Sequence, residues 1–424
     1  MKDYKIHRFD NGATIILKTI KGQKFTTIHM GFKAGAAQDE VAGTAHFLEH
    51  TLFLGTKNRT REQIDKDSSR ITFVNAQTGV FSTLVTFKRA NTYFEEAFEY
   101  ASDILLNTKF NTAEINKERE VVRNEIMSVK ECDKRNVTAY HLTLFNNYYN
   151  KTSCQVLGDD IDKVTKKELE KFRKKNYIAK NFVMYVCSAL SMQKFVKLYN
   201  KYIEKNLAVC NDCPDLNYDL VAQKPSKMQV IKLDQEKIDI RITIEIPFGV
   251  HNSKNRICRY FYSELLSLGG GLYNTLRKKG LVYEYSASIG ELAYNSFMTF
   301  AFVATKDNVN KVIDEISKEV QNRYKSGITK EEFANLRKQI EIFKDEDEIG
   351  YVKYLLNNVN FEYLLNFLTD ELDYKKELKN VTIEDVNDYI GLFNNKNNKI
   401  WVTALGNLTS KDVYDLETIK KKLL

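Results

Sequence analysis

Apolar and polar positions along the chain divide it into two halves that repeat one plan. Residues 4–20, YKIHRFDNGATIILKTI, alternate at the two-residue period of a strand on both sides of Asn11-Gly12. That dipeptide tolerates the positive backbone angles of a hairpin turn. FTTIHMGFKAGA predicts a third strand, and from Thr44 to about Leu54 the period lengthens to that of a helix. Residues 72–88, TFVNAQTGVFSTLVTFK, return to the β-branched and aromatic alternation of strands. Two helical stretches follow, NTYFEEAFEYASDILLN and AEINKEREVVRNEIMSVK, the second with Thr112 placed to cap its start. A helix over roughly Lys166 to Lys175 and a strand in NFVMYVCSAL close this half.

Periodicity fades over residues 206–226, which hold Pro214 and Pro225, two of only three prolines, and predict a linker. Beyond it MQVIKLDQ and IDIRITIEIPFGV read as strands, followed by a helix near RYFYSELLSL and strands around EYSASIG and SFMTFAFVAT. Helices between 308 and 345 and a last strand, KIWVTALGN, complete the series. The expected fold is α+β, with two related domains, residues 1–205 and 227–424, each a mainly antiparallel sheet packed with helices. A chain of 424 residues is long enough for two cores of that size.

Composition narrows the classes of function. Hydrophobic residues make up 43% and charged residues 28%, as in folded globular chains. The net charge of +8 comes from lysines spread along the whole length, without the dense basic block and stacking aromatics of a nucleic-acid groove, so no nucleic-acid partner is expected. There is no run of about 18 uncharged apolar residues, and the opening MKDYKIHRFDNG carries no apolar export segment. These features predict a cytoplasmic protein without a membrane partner. Six cysteines, at 132, 154, 187, 210, 213 and 258, are scattered in the manner of reduced thiols. The lone Cys210–Cys213 pair is half a metal site and lacks the strand-to-helix setting of a redox motif.

Histidine is scarce, six in all, yet His46 and His50 stand four apart in GTAHFLEH on the predicted helix. Residues at that spacing share a helix face, so both imidazoles can be directed at one ion, zinc by preference. Glu49, one residue before His50, is placed to act as a base on a water at that ion. A catalytic zinc needs a third protein ligand and one open position. In EREVVRNE, Glu118 and Glu125 lie two turns apart on one helix face, and either could close the site. A solvated helix face with salt bridges to Arg119 and Arg123 would explain the same two glutamates. A pair of core histidines would explain His46 and His50, but would leave the Glu49 carboxylate unpaired beside an apolar helix.

The order His-x-x-Glu-His is the inverzincin arrangement, and the chain resembles the pitrilysin or insulinase family of zinc peptidases, in the group of mitochondrial processing peptidase and its bacterial relatives. RFDNGATIILK and GFKAGAAQDE stand where that family has its opening hairpin and strand, HFLEHTLFLGT resembles its active helix, and VNAQTG resembles its Asn-Ala-x-Thr strand. EREVVRNE resembles its distal glutamate helix. The resemblance implies one zinc per chain held by His46, His50 and Glu125, with Glu49 as the base and Glu118 as a supporting acidic residue grouped with the catalytic set. Asn75, Ala76 and Thr78 would bind a peptide substrate as an added strand. GGGLYNTLRKKGLVYEYSAS resembles the segment whose arginine and tyrosine contact substrate, which implies Arg277 and Tyr283, six apart where the family has one residue more.

The function implied is that of a zinc-dependent endopeptidase, an oligopeptidase or processing peptidase for unfolded peptides. Its two domains would form half of a clamshell chamber that a homodimer completes, with Arg277 and Tyr283 supplied by the partner subunit. Two other readings are a catalytic subunit paired in a heterodimer with a related chain, and a non-catalytic structural member of the family.

Overall fold

A computed structural model describes residues 4–144, 156–158, 161–210, 225–246, 253–267, 271–292, 295–343 and 378–424. Its first sheet contains β1 (Tyr4–Arg8), β2 (Thr14–Thr19), β3 (Phe25–Phe32), β4 (Asn75–Thr78), β5 (Thr83–Ala90) and β6 (Phe182–Ser188). The strands lie in the order β1-β2-β6-β3-β5-β4. All pairings are antiparallel except β2 with β6. Gly12 adopts φ +88 in the loop between β1 and β2, as the Asn-Gly turn requires. Helices α1 (Thr44–Thr51), α2 (Arg61–Arg70), α3 (Phe94–Leu106) and α4 (Thr112–Asp133) follow in chain order, and Lys166–Asn176 and Met192–Tyr202 form two more. Residues such as Ile15, Met30, Val85 and Met184 fill the core of this sheet together with Leu48, Phe98 and Leu198 from the helices.

The second sheet has the order β7 (Lys227–Lys232), β11 (Lys399–Gly406), β8 (Ile238–Ile246), β10 (Asn295–Ala304) and β9 (Glu284–Leu292), again with one parallel pair, β7 with β11. Adding five to each strand number of β2-β6-β3-β5-β4 gives this order, so the repeated plan read from the sequence is a repeated topology. The expected α+β architecture with two related, mainly antiparallel sheets is what the structure has.

Contacts divide the chain into two compact units, and residues 132–144 fall in the second although the linear division at 205 assigns them to the first domain. The cause is α5 (Val137–Leu142). The ring of His141 on it lies 3.0 Å from Thr403 Oγ1 and 2.8 Å from Thr243 Oγ1, on β11 and β8. Gln229 of β7 donates to the Tyr140 carbonyl, and Leu144 packs with Phe297 and Trp401.

Two finer expectations are corrected. Asn111 caps α4 in place of Thr112, its Oδ1 accepting from the Ala113 amide at 2.9 Å. Thr112 is the first helical residue. Among the described cysteines Cys132, Cys187 and Cys258 are not in disulfides, whereas Cys210 is disulfide-bonded. Most of the expected linker, residues 211–224, lies outside the described residues. Among the described residues no helix is long and apolar enough to cross a membrane.

Candidate metal centre

The centre lies within the first unit, on α1, α4 and β4. Helix α1 begins at Gly43, which takes φ +87 and sits where the chain passes closest to residues 157–158. A Cβ on Gly43 would lie 2.6 Å from the Leu157 carbonyl oxygen, so the position admits glycine alone on both backbone angle and space. Asp39 satisfies the first amides of the helix, accepting from Gly43 N at 2.9 Å and Ala45 N at 2.8 Å. With the helix start fixed, His46 and His50 project from one face with ring centroids 4.7 Å apart.

Helix α4 buries Ile115, Glu118, Val122 and Ile126 at helical spacing. The stripe turns Glu118 and Glu125 toward α1, and the structure separates their roles. Glu125 Oε2 stands 3.3 Å from His50 Nε2 and 3.7 Å from His46 Nε2. Glu118 Oε1 stands 3.1 Å from the opposite ring nitrogen of His50, Nδ1, and its other oxygen is 3.5 Å from Arg61 at the start of α2.

One ligand atom each from His46, His50 and Glu125 lie within 4.8 Å of one another, and among the described residues no other trio of histidine, cysteine or acidic side chains converges in this way. Ligand atoms held 2.0–2.2 Å from one ion at tetrahedral angles stand roughly 3.3 Å apart. The 3.3 Å between Glu125 and His50 meets that separation, and the 3.7 Å between Glu125 and His46 is slightly wider. Two imidazoles and a carboxylate form a zinc donor set, with the Glu125 side chain still 43% exposed, so the site opens to solvent.

Electrostatics prepare the donors. Burial, then the neighbouring His50, pulls the His46 pKa down to about 3, against a weaker opposing effect of the Leu157 carbonyl, so the ring is neutral with a lone pair to offer. Its Nδ1 is buried without a hydrogen bond of normal geometry. Burial also acts to lower His50, but the hydrogen bond it donates to Glu118 and the charges of Glu49, Glu125 and Glu118 outweigh it and raise the net value. In return the His50 hydrogen bond, opposed by burial, lowers the pKa of Glu118. A carboxylate on Nδ1 fixes the imidazole and leaves Nε2 to face an ion.

Glu49 is outside the ligand trio. The residue is half-buried, and Oε2 accepts a 2.7 Å hydrogen bond from Thr78 Oγ1. Burial raises its pKa, with the Thr78 hydroxyl and His50 acting in the other direction. Thr78 ends β4, the outermost strand of the first sheet, which pairs only with β5 among the described residues. Asn75 on that strand is exposed and Ala76 half-buried, and among the described residues no strand pairs with the other edge there, the edge that the sequence assigned to substrate.

Arg277 and Tyr283 belong to the second unit. Arg277 lies on the helix Leu272–Lys278 and donates to the Tyr283 backbone carbonyl at 3.1 Å. The Tyr283 side chain is exposed, with Lys237 Nζ 4.7 Å from its ring centroid.

Sequence reading missed Asp39, Gly43 and Arg61, and it assigned Thr78 to substrate without its bond to Glu49. Helix α2 escaped because Ile64 is its only buried residue. Its capping box, Thr60 with Gln63, was the available signal.

Residues 14–155 match the family model described as Insulinase (Peptidase family M16), and residues 163–340 match the model described as Peptidase M16 inactive domain. An Arabidopsis thaliana protein named probable mitochondrial-processing peptidase subunit beta is 28% identical over 228 residues, 52% of this chain and 42% of its own length. The match thus spans less than half of that relative. A Rickettsia bellii protein described as an uncharacterized zinc protease is 25% identical over 358 residues, covering 80% of this chain and 82% of its own. The crystal structure of a peptidase M16 inactive domain from Pseudomonas fluorescens superposes with a TM-score of 0.78 at 15% identity, covering 96% of this chain and 98% of that one.

Proposed function

The chain belongs to peptidase family M16, the insulinase family, and on that footing we propose that it is a zinc-dependent endopeptidase acting on unfolded peptides, as an oligopeptidase or processing peptidase. The observation that carries this reading is the convergence of His46, His50 and Glu125 beside a half-buried, Thr78-bonded Glu49. When bound, zinc supplies a Lewis acid for the scissile carbonyl and the attacking water.

The remaining roles fall to side chains. Glu49 takes a proton from the attacking water and returns it to the leaving amine, and its raised pKa suits a group that must both accept and release a proton. Glu118 acts through His50, holding the ring by Nδ1. The free edge of β4 at Asn75 and Ala76 pairs with the substrate backbone, so that affinity comes from main-chain hydrogen bonds and sequence preference is loose. Two copies close a chamber in which Arg277 and Tyr283 of one subunit meet substrate held by the other.

A second reading, the catalytic subunit of a heterodimer that matures a peptide product, is favoured by relatives named as beta subunits. A non-catalytic role would tolerate loss of the ligands, whereas His46, Glu49, His50 and Glu125 are all present.

The test is incubation of the purified chain with a mixed peptide library, with and without a chelator, read by mass spectrometry. Cleavage that stops with chelator and returns with zinc is expected; a zinc-replete protein that leaves the library intact would overturn the proposal. Light scattering on the active sample separates a symmetric dimer from a chain that needs a second subunit.

A further inference from the structure

Thr78 touches both parts of the proposed machinery. It is the last residue of the edge strand β4, and its hydroxyl donates to Glu49 Oε2 at 2.7 Å. Its backbone amide acts on the same carboxylate. Along β4 the side chains alternate, Asn75 and Gln77 exposed, Ala76 and Thr78 half-buried, so the residue that meets the base is set by strand register.

The hydroxyl is carried by backbone with little freedom. Thr78 pairs with Thr83, and Gly79 N donates to the Ser82 carbonyl at 2.8 Å to close the hairpin. The carbonyls of Gly79 and Val80 accept from Ala36 N at 3.0 Å and Ala37 N at 2.8 Å. A Cβ on Gly35 would come within 2.3 Å of the Gly79 oxygen, so the two segments are in backbone contact. Thr83 Oγ1 adds a hydrogen bond to the Ala34 carbonyl at 3.0 Å. A glutamate carboxylate, by contrast, rotates broadly about its last torsion.

We propose that Thr78 is a positioning residue for Glu49: it holds Oε2 so that the other oxygen is presented for proton transfer, and it ties the base to the strand on which substrate docks. This rests on the peptidase reading above. Proton transfer is sensitive to the placement of the acceptor, and a displaced base still leaves the ligands and the strand edge intact. Loss of the hydroxyl therefore lowers kcat and spares KM and zinc binding.

The experiment compares T78V, which keeps the branched shape and removes the hydroxyl, with T78S, which keeps the hydroxyl. Expected for T78V is a fall in kcat of about 10–100-fold, with KM, zinc stoichiometry and melting temperature close to those of the unaltered protein. T78S should restore most of kcat. A T78V variant that turns over normally, or a T78S variant as impaired as T78V, overturns the inference, the latter by assigning the effect to packing of the methyl group. An unaltered zinc-loaded protein that cleaves nothing overturns the peptidase reading and this inference with it, whereas normal T78V turnover in an active background sinks this inference alone.

Discussion

Glu118 Oε1 lies 3.1 Å from His50 Nδ1, on the far side of the imidazole from Nε2, which faces Glu125 Oε2 at 3.3 Å. The two acids of one helix thus grip opposite edges of one ring. Glu118→Gln should keep the fold and weaken zinc affinity by about 10–100-fold, because a carboxylate on the outer nitrogen both orients the ring and strengthens it as a donor. Competition with a chromogenic chelator measures this, and an unchanged affinity would remove Glu118 from the site.

Glu49→Gln should retain zinc and lose turnover by about 10²–10⁴-fold, the range attributed to a positioned proton acceptor. His50→Ala, in contrast, should lose the metal as well. Metal analysis alongside peptide cleavage separates the two, and an active Glu49→Gln enzyme would move the base elsewhere.

Gly43→Ala should destabilise the first unit. A residue with a side chain at φ +87 costs about 1–3 kcal/mol, and its Cβ would also press to 2.6 Å from the Leu157 oxygen and 2.8 Å from Gly158 Cα. Since Gly43 starts the helix of both histidines, zinc uptake should fall with the melting temperature. A variant as stable as the parent would contradict the close approach of these backbones.

Acid should weaken the second unit through His141. Burial, then the charge of Arg241, lowers its folded pKa to about 3 from the ordinary histidine value of 6.5. Between those values the unfolded chain binds the extra proton, so stability rises with pH across the window and is lost as pH falls below the unfolded value. The slope from one such group is at most about 1.4 kcal/mol per pH unit. Urea midpoints at pH 7 and pH 5 should draw apart more in the unaltered protein than in His141→Gln. Equal pH dependence in the two would exclude His141 as a source.

Helical period alone put His46 and His50 on one face, and the two-residue period of residues 72–88 marked the strand that proves to be the sheet edge. Where apolar patterning was weak, local reading failed. Helix α2, almost wholly polar, went unseen together with Arg61, which reaches Glu118. The cap of α4 was misplaced by one residue because Asn111 and Thr112 are both capping types, and the phase is set by which residues must be buried further along.

By itself the sequence determined the repeated strand plan, the helix with its histidine pair and the pool of acids that could complete a metal site, because each follows from periods of two or 3.6 residues within one segment. Tertiary structure decided what periodicity leaves equivalent. Glu118 and Glu125 are two turns apart on one face, and only the packing of α4 against α1 puts one at Nδ1 and the other at Nε2 of His50. Likewise Thr78 meets Glu49 across 29 residues of chain, and α5 leaves its linear neighbours for the second sheet. Such partners are chosen by how separate elements pack together in space, which no local period encodes.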